Sequence, residues 1–150
     1  MTIVLTKNAV QEALDKAIAE RGADYRYTDT HKDGCYYAEW DEATEVPAPS
    51  CVVGFVVDAI DHEAFEALAR TEASEGTFSA PELVEYELGI AFEDGDIQEA
   101  LSLAQQAQDE GLTWGQAREF AIRYLEGEPY SKIRSDMADA LAEYEESLEV

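Results

Sequence analysis

Side chains able to act as nucleophiles or soft metal ligands are scarce: His31, Cys35, Cys51 and His62 are all the imidazoles and thiols in the sequence. Cys51 makes the strongest case. It follows a loop closed by Pro47 and Pro49 and stands, with Ser50, at the expected start of a helix. There a thiol pKa is depressed and the sulfur becomes a nucleophile. A thiol enzyme centred on Cys51 also needs a base, and the later histidine, His62, lies about three turns along the same stretch, out of reach. The competing reading is a buried, inert cysteine. The two cysteines and two histidines would suffice for a structural zinc site, but no Cys-x-x-Cys pair is present and their spacing fits no recurrent zinc motif.

Asp29-Thr30-His31-Lys32-Asp33-Gly34 imitates the first half of a calcium loop. It fails where such a loop needs a third-position oxygen, occupied by His31, and a final glutamate, occupied by Trp40. A hairpin turn at Asp33-Gly34 accounts for the same residues. Carboxylates are so abundant, 34 in all, that no pair of them marks an acid–base site. Glycine-rich phosphate loops are absent. These residues imply no metal, no cofactor and no catalytic centre, and point away from an enzyme.

The charge balance is more informative. Against the 34 acidic residues stand 10 basic ones, for a net charge of −24. Residues 61–99 hold 12 acids and a single base, Arg70, so 12 − 1 leaves −11 in that stretch. A chain so charged repels nucleic acid and anionic membranes, having little with which to neutralise phosphates. Two readings compete: plain solubility, or a surface that meets a basic partner or imitates DNA phosphates.

The 150 residues are enough to bury a core without disulfides. A hydrophobic fraction of 46% argues for a globule rather than a disordered acidic tail. No apolar run approaches the ~20 residues that span a bilayer, Met1–Thr6 is too short for a signal peptide, and two cysteines suit a reducing cytoplasm.

The elements that position these residues are mostly helical. Thr6 caps a first helix carrying Val10, Ala13, Leu14, Ala17 and Ile18, which stops at Gly22. Aromatic-rich runs at 25–31 and 35–40, joined through Asp33-Gly34, read as a hairpin with Tyr27 facing Trp40. Tyr27, His31, Tyr36 and Trp40 would then share one side, with Cys35 and Tyr37 on the other. Cys51–Val57 is β-branched like a strand, but a cap at Ser50 and the spacing of Val53, Val56, Val57 and Ile60 favour a buried helix. Asp61 caps the next helix, through Phe65, Leu68 and Ala69. Residues 72–92 fit helix, strand or loop: Ser79–Glu82 has capping-box spacing, whereas Val84, Tyr86 and Leu88 alternate. Further helices open at Asp96, at Thr113-Trp114-Gly115-Gln116 and after Pro129, with stops at Gly111 and near Gly127.

Three segments in this order resemble small acidic accessory proteins encoded by actinobacteriophages, most of them catalogued as hypothetical. They are Glu20–Tyr27, then Cys35-Tyr36-Tyr37 with Pro49–Gly54, then Ala104–Ala117, so the likeness spans roughly residues 9–125. Members often carry a histidine after the central Val-Gly, where this chain has Phe55. The stretch from Pro129 onward looks like an addition. The resemblance implies expression in the cytoplasm of an infected host and a host-directed role, but no reaction.

The expectation is one α+β domain over 1–150, with five or six helices packed on a small antiparallel hairpin or sheet. Residues 129–150 would form a C-terminal helical extension packed on the core. Its expected function is non-catalytic: a phage accessory protein that binds and modulates a host protein, itself basic or nucleic-acid-binding, through an acidic surface. Glu82, Glu85, Glu87, Glu93, Asp94 and Asp96 are the candidate contacts, with Trp40 and Tyr36 as candidate hot spots. Direct binding of nucleic acid or membrane is not expected. The alternatives are a DNA mimic that inhibits a nucleic-acid-binding host protein, a thiol enzyme centred on Cys51, and a self-associating structural protein; the sequence leaves the oligomeric state open.

Overall fold

A computed structural model describes residues 3–27, 36–75 and 89–148. In chain order the elements are β1 (Ile3–Leu5), α1 (Lys7–Arg21), β2 (Ala38–Trp40), β3 (Pro47–Pro49), α2 (Val52–Ile60), α3 (His62–Glu75), β4 (Ile90–Phe92), α4 (Gly95–Asp109), α5 (Trp114–Leu125) and α6 (Tyr130–Leu148). The chain is therefore α+β and mostly helical, as its periodicity predicts.

Local chemistry fixes most helix ends. The Thr6 hydroxyl accepts from the Ala9 amide, and Gly22 leaves α1 at φ 95°. Thr113 and Gln116 form a reciprocal capping box at the start of α5. The run Cys51–Val57 is helical despite its β-branched content, with Val52 to Val57 all buried. A helix apolar on every side is a core helix, and α2 packs against α1, α3, α4 and β3. Its cap is Cys51, not the expected Ser50: the sulfur accepts from the Gly54 amide at 3.4 Å.

Trp114 is fully buried, and its indole N–H donates to the Gln108 side-chain oxygen at 3.1 Å. That oxygen also accepts from the Val52 amide at 2.7 Å. One buried amide thus serves both the α2 N-terminus and the indole, leaving neither donor orphaned. Side chains from all six described helices enter one hydrophobic cluster, α6 contributing Ile133 and Met137.

The sheets differ from the expected hairpin. Residues 25–27 form no strand; β2 pairs instead with β3, in antiparallel register Ala38↔Pro49, Glu39↔Ala48 and Trp40↔Pro47. Tyr27 therefore does not face Trp40. It is buried, and its hydroxyl accepts from the Tyr36 amide at 2.8 Å and lies 3.2 Å from the Ser50 hydroxyl. Tyr36 and Tyr37 do point opposite ways, the first exposed and the second buried. The Asp33-Gly34 turn and the Lys32–Cys35 pairing lie outside the described residues, as does most of the undetermined stretch 72–92. Within that stretch, α3 continues to Glu75 and β4 occupies 90–92.

A second sheet was not expected at all. β1 and β4 pair in parallel, with Ile3↔Ile90, Val4↔Ala91 and Leu5↔Phe92.

Candidate functional site

Of the six candidate acids, Glu82, Glu85 and Glu87 lie outside the described residues; Glu93, Asp94 and Asp96 come together, exposed, where β4 leads into α4. Because β1 and β4 are parallel, the helices that follow them, α1 and α4, begin at the same end of the pair. Two helix N-termini, each with unpaired amides and a positive dipole end, therefore lie side by side. The three acids serve that corner. The Glu93 carboxylate accepts from the Lys7 amide at 3.3 Å. Asp94 caps α4, accepting from the amides of Asp96 at 2.8 Å and Ile97 at 3.3 Å. Asp96 accepts from the Tyr124 hydroxyl at 3.4 Å. Desolvation first, then the carboxylates of Asp96 and Glu99, raise the Tyr124 pKa above its ordinary value. These charges have internal work in holding two helix starts.

Tyr36 and Trp40 sit elsewhere, on the β2–β3 hairpin, 43% and 40% exposed. The turn between the strands is set by Asp41, whose carboxylate accepts from the Ala43 and Thr44 amides at 2.8 and 3.2 Å. Glu45 adopts φ 57° to close it. Two flanking backbone bonds, Asp41 amide to Val46 carbonyl and Ser50 amide to Tyr37 carbonyl, fix the ladder. In that register the outward amide positions of β3 are Pro47 and Pro49, which have no N–H, so the edge is blunted against strand pairing. At its base the hairpin is held by Glu72, the one buried carboxylate among the described residues. Its two oxygens accept from the Tyr37 and Ala38 amides at 2.8 and 3.1 Å.

Cys51 is buried at the opposite extreme from a reactive thiol. Burial pushes its pKa far above the ordinary 9.0, outweighing the hydrogen bond from Gly54, which lowers it. His62 is 63% exposed at the start of α3, with Nδ1 2.6 Å from an Asp58 oxygen. That hydrogen bond raises its pKa above the ordinary 6.5. The structure does not bring the thiol and this imidazole together. His31 and Cys35 lie outside the described residues, and among the described residues no group of three or more His, Cys, Asp or Glu is placed to hold a metal ion.

Further groups were not singled out by sequence. Glu72 is one carboxylate among 34 and carries no local signal of burial. Gln108 sits in a helical run rich in glutamine, and only the fold distinguishes it from its neighbours. Arg21 is wedged among aromatic rings, its guanidinium carbon 4.9 Å from the Phe55 centroid, 5.0 Å from that of Tyr25 and 5.7 Å from that of Trp114. Its placement one turn before Tyr25 was the available hint.

No protein-family profile, no curated protein and no solved structure matches the chain. No helix among the described residues is long and apolar enough to cross a membrane.

Proposed function

We propose that this chain is a non-catalytic binding protein that engages a basic, nucleic-acid-handling host protein through its acidic surface, as an accessory product of a phage in the cytoplasm of its host. The observation that carries the reading is where the acids lie. Of all the described carboxylates, only that of Glu72 is buried. The other described carboxylates are exposed or half-buried, where they build a long-range negative field that steers cationic partners. The likeness of three sequence segments to actinobacteriophage accessory proteins supports the setting.

The corner acids Glu93, Asp94 and Asp96 are a poorer contact surface than their sequence suggests, because each satisfies donors of its own fold. Capture from actinobacterial lysate with tagged full-length protein, washed across a salt gradient, tests the proposal. A basic partner released by salt is expected. Loss of that partner to added DNA would identify its nucleic-acid site as the contact. An enriched partner that is itself acidic, or one indifferent to salt, would contradict the reading.

A further inference from the structure

Building on the reading of an acidic protein that binds a basic one, we propose that the β2–β3 hairpin is the contact surface and that its occupant is an arginine-bearing segment of the partner protein. The hairpin combines what such a segment requires. Tyr36, Trp40 and Val46, all within eleven residues of the hairpin, are 43%, 40% and 56% exposed. Residues 36–49 carry Glu39, Asp41, Glu42 and Glu45 and no lysine or arginine; all four acids are exposed, and because Asp41 already serves two turn amides the contact falls chiefly to Glu42 and Glu45. An indole face is the best aromatic acceptor of a guanidinium, and tryptophan and tyrosine dominate interface hot spots. Carboxylates around an aromatic favour arginine over a neutral or acidic occupant by charge complementarity.

The mode of docking follows from the backbone. Pro47 and Pro49 deny an incoming strand its donors along β3, and the Glu72 carboxylate already accepts from the Ala38 amide on β2. Recognition therefore runs through side chains on the hairpin rather than through an added strand. The tip is also preorganised: the Asp41 carboxylate ties down two amides, and the Glu72 anchor fixes the base. An aromatic carried on a backbone fixed at both ends loses little backbone entropy on binding.

The test is calorimetric titration of the full-length protein with a short peptide of alternating arginine and alanine, at low and physiological salt. Binding is expected, weakened about tenfold in Trp40→Ala. The same peptide with lysine in place of arginine should bind less tightly, since lysine lacks the planar cation that stacks. Glu143→Gln with Glu146→Gln, a charge-matched change on α6, should cost less than Glu42→Gln with Glu45→Gln. Thermal melts would show that each variant is folded. If folded Trp40→Ala and the hairpin double variant bind as tightly as the parent, the hairpin is not the contact surface, while the acidic-binding reading stands. If the parent fails to bind even at low salt, that broader reading falls, and this proposal with it.

Discussion

Gly54 and Tyr37 meet backbone to backbone: a Cβ on Gly54 would sit 2.2 Å from the Tyr37 carbonyl oxygen. α2 can lie this close to the start of β2 only because position 54 has no side chain. The clash would be with backbone, which cannot rotate aside as a side-chain tip could.

Gly54→Ala is accordingly expected to destabilise the protein by about 3 kcal/mol, at the upper end of overpacking costs. Helix propensity alone predicts the opposite, a gain of up to about 1 kcal/mol for alanine in a helix interior. Thermal or denaturant unfolding separates the two by sign. A variant as stable as the parent would mean that α2 moves away from Tyr37 at little cost.

Glu72 is expected to matter through acceptor count rather than charge. Each carboxylate oxygen accepts from one amide of the β2 start. Glu72→Gln keeps one acceptor and turns an N–H2 toward the other amide, leaving a buried donor unsatisfied at about 1–3 kcal/mol. Amide exchange at Tyr37 and Ala38 should accelerate well beyond the global change in stability. Uniform exchange across the chain would indicate that the carboxylate does not anchor the hairpin locally.

Much of this architecture is legible in local chemistry. Thr6 and Gly22 bracket α1, and Thr113 with Gln116 opens α5, because caps and stops are settled within one turn of chain. The parallel pair is not legible for the converse reason. Ile3-Val4-Leu5 is too short for alternation to register, and its partner lies far along the chain; Lys7 and Glu93, which meet beside it, are 86 residues apart. Tyr25–Tyr27 has strand-like composition, whereas Pro47-Ala48-Pro49 looks like loop. The latter still pairs, since prolines are tolerated on an edge whose amides face outward. At the candidate surface, Tyr36 and Trp40 share one side in the sequence pattern, but so does Tyr27, which is buried. Asp94 caps α4 within its own turn, whereas the contact of Glu93 with the Lys7 amide depends on the parallel pair and has no local sign.

Cys51 and Tyr37 should shape the alkaline limit of stability. Burial raises both pKa values above their ordinary 9.0 and 10.0, so the folded state holds these protons more tightly than the unfolded chain does. Their contribution is intact below pH 9 and is lost as pH rises above it, at about 1.4 kcal/mol per pH unit for each group released only in the unfolded state. Cys51→Ala should flatten the decline that begins near pH 9, leaving the later one from Tyr37. Peptide-resolved alkylation of Cys51 should be slow in native buffer and fast in denaturant. Rapid native alkylation would overturn the burial account and revive a reactive thiol.

Arg123 should set the acid limit of the α5–α6 junction. Its guanidinium makes two bonds to Glu128, at 2.7 and 3.0 Å, and one to Asp136 at 2.6 Å. The hydrogen bonds from Arg123 hold the Glu128 carboxyl below its ordinary 4.5. A lowered carboxyl pKa contributes stability above 4.5 that disappears as pH falls through the folded-state value. Arg123→Met should therefore lower Tm modestly at neutral pH and bring the parent and variant curves together as pH falls below 4.5 through the folded-state value of Glu128. Both partners are partly exposed, so added salt should narrow the neutral-pH gap as well. Melts of the two proteins across this range decide the matter. A constant offset at every pH would assign the role of Arg123 to packing over the Phe120 ring, 5.7 Å away, rather than to its ion pairs.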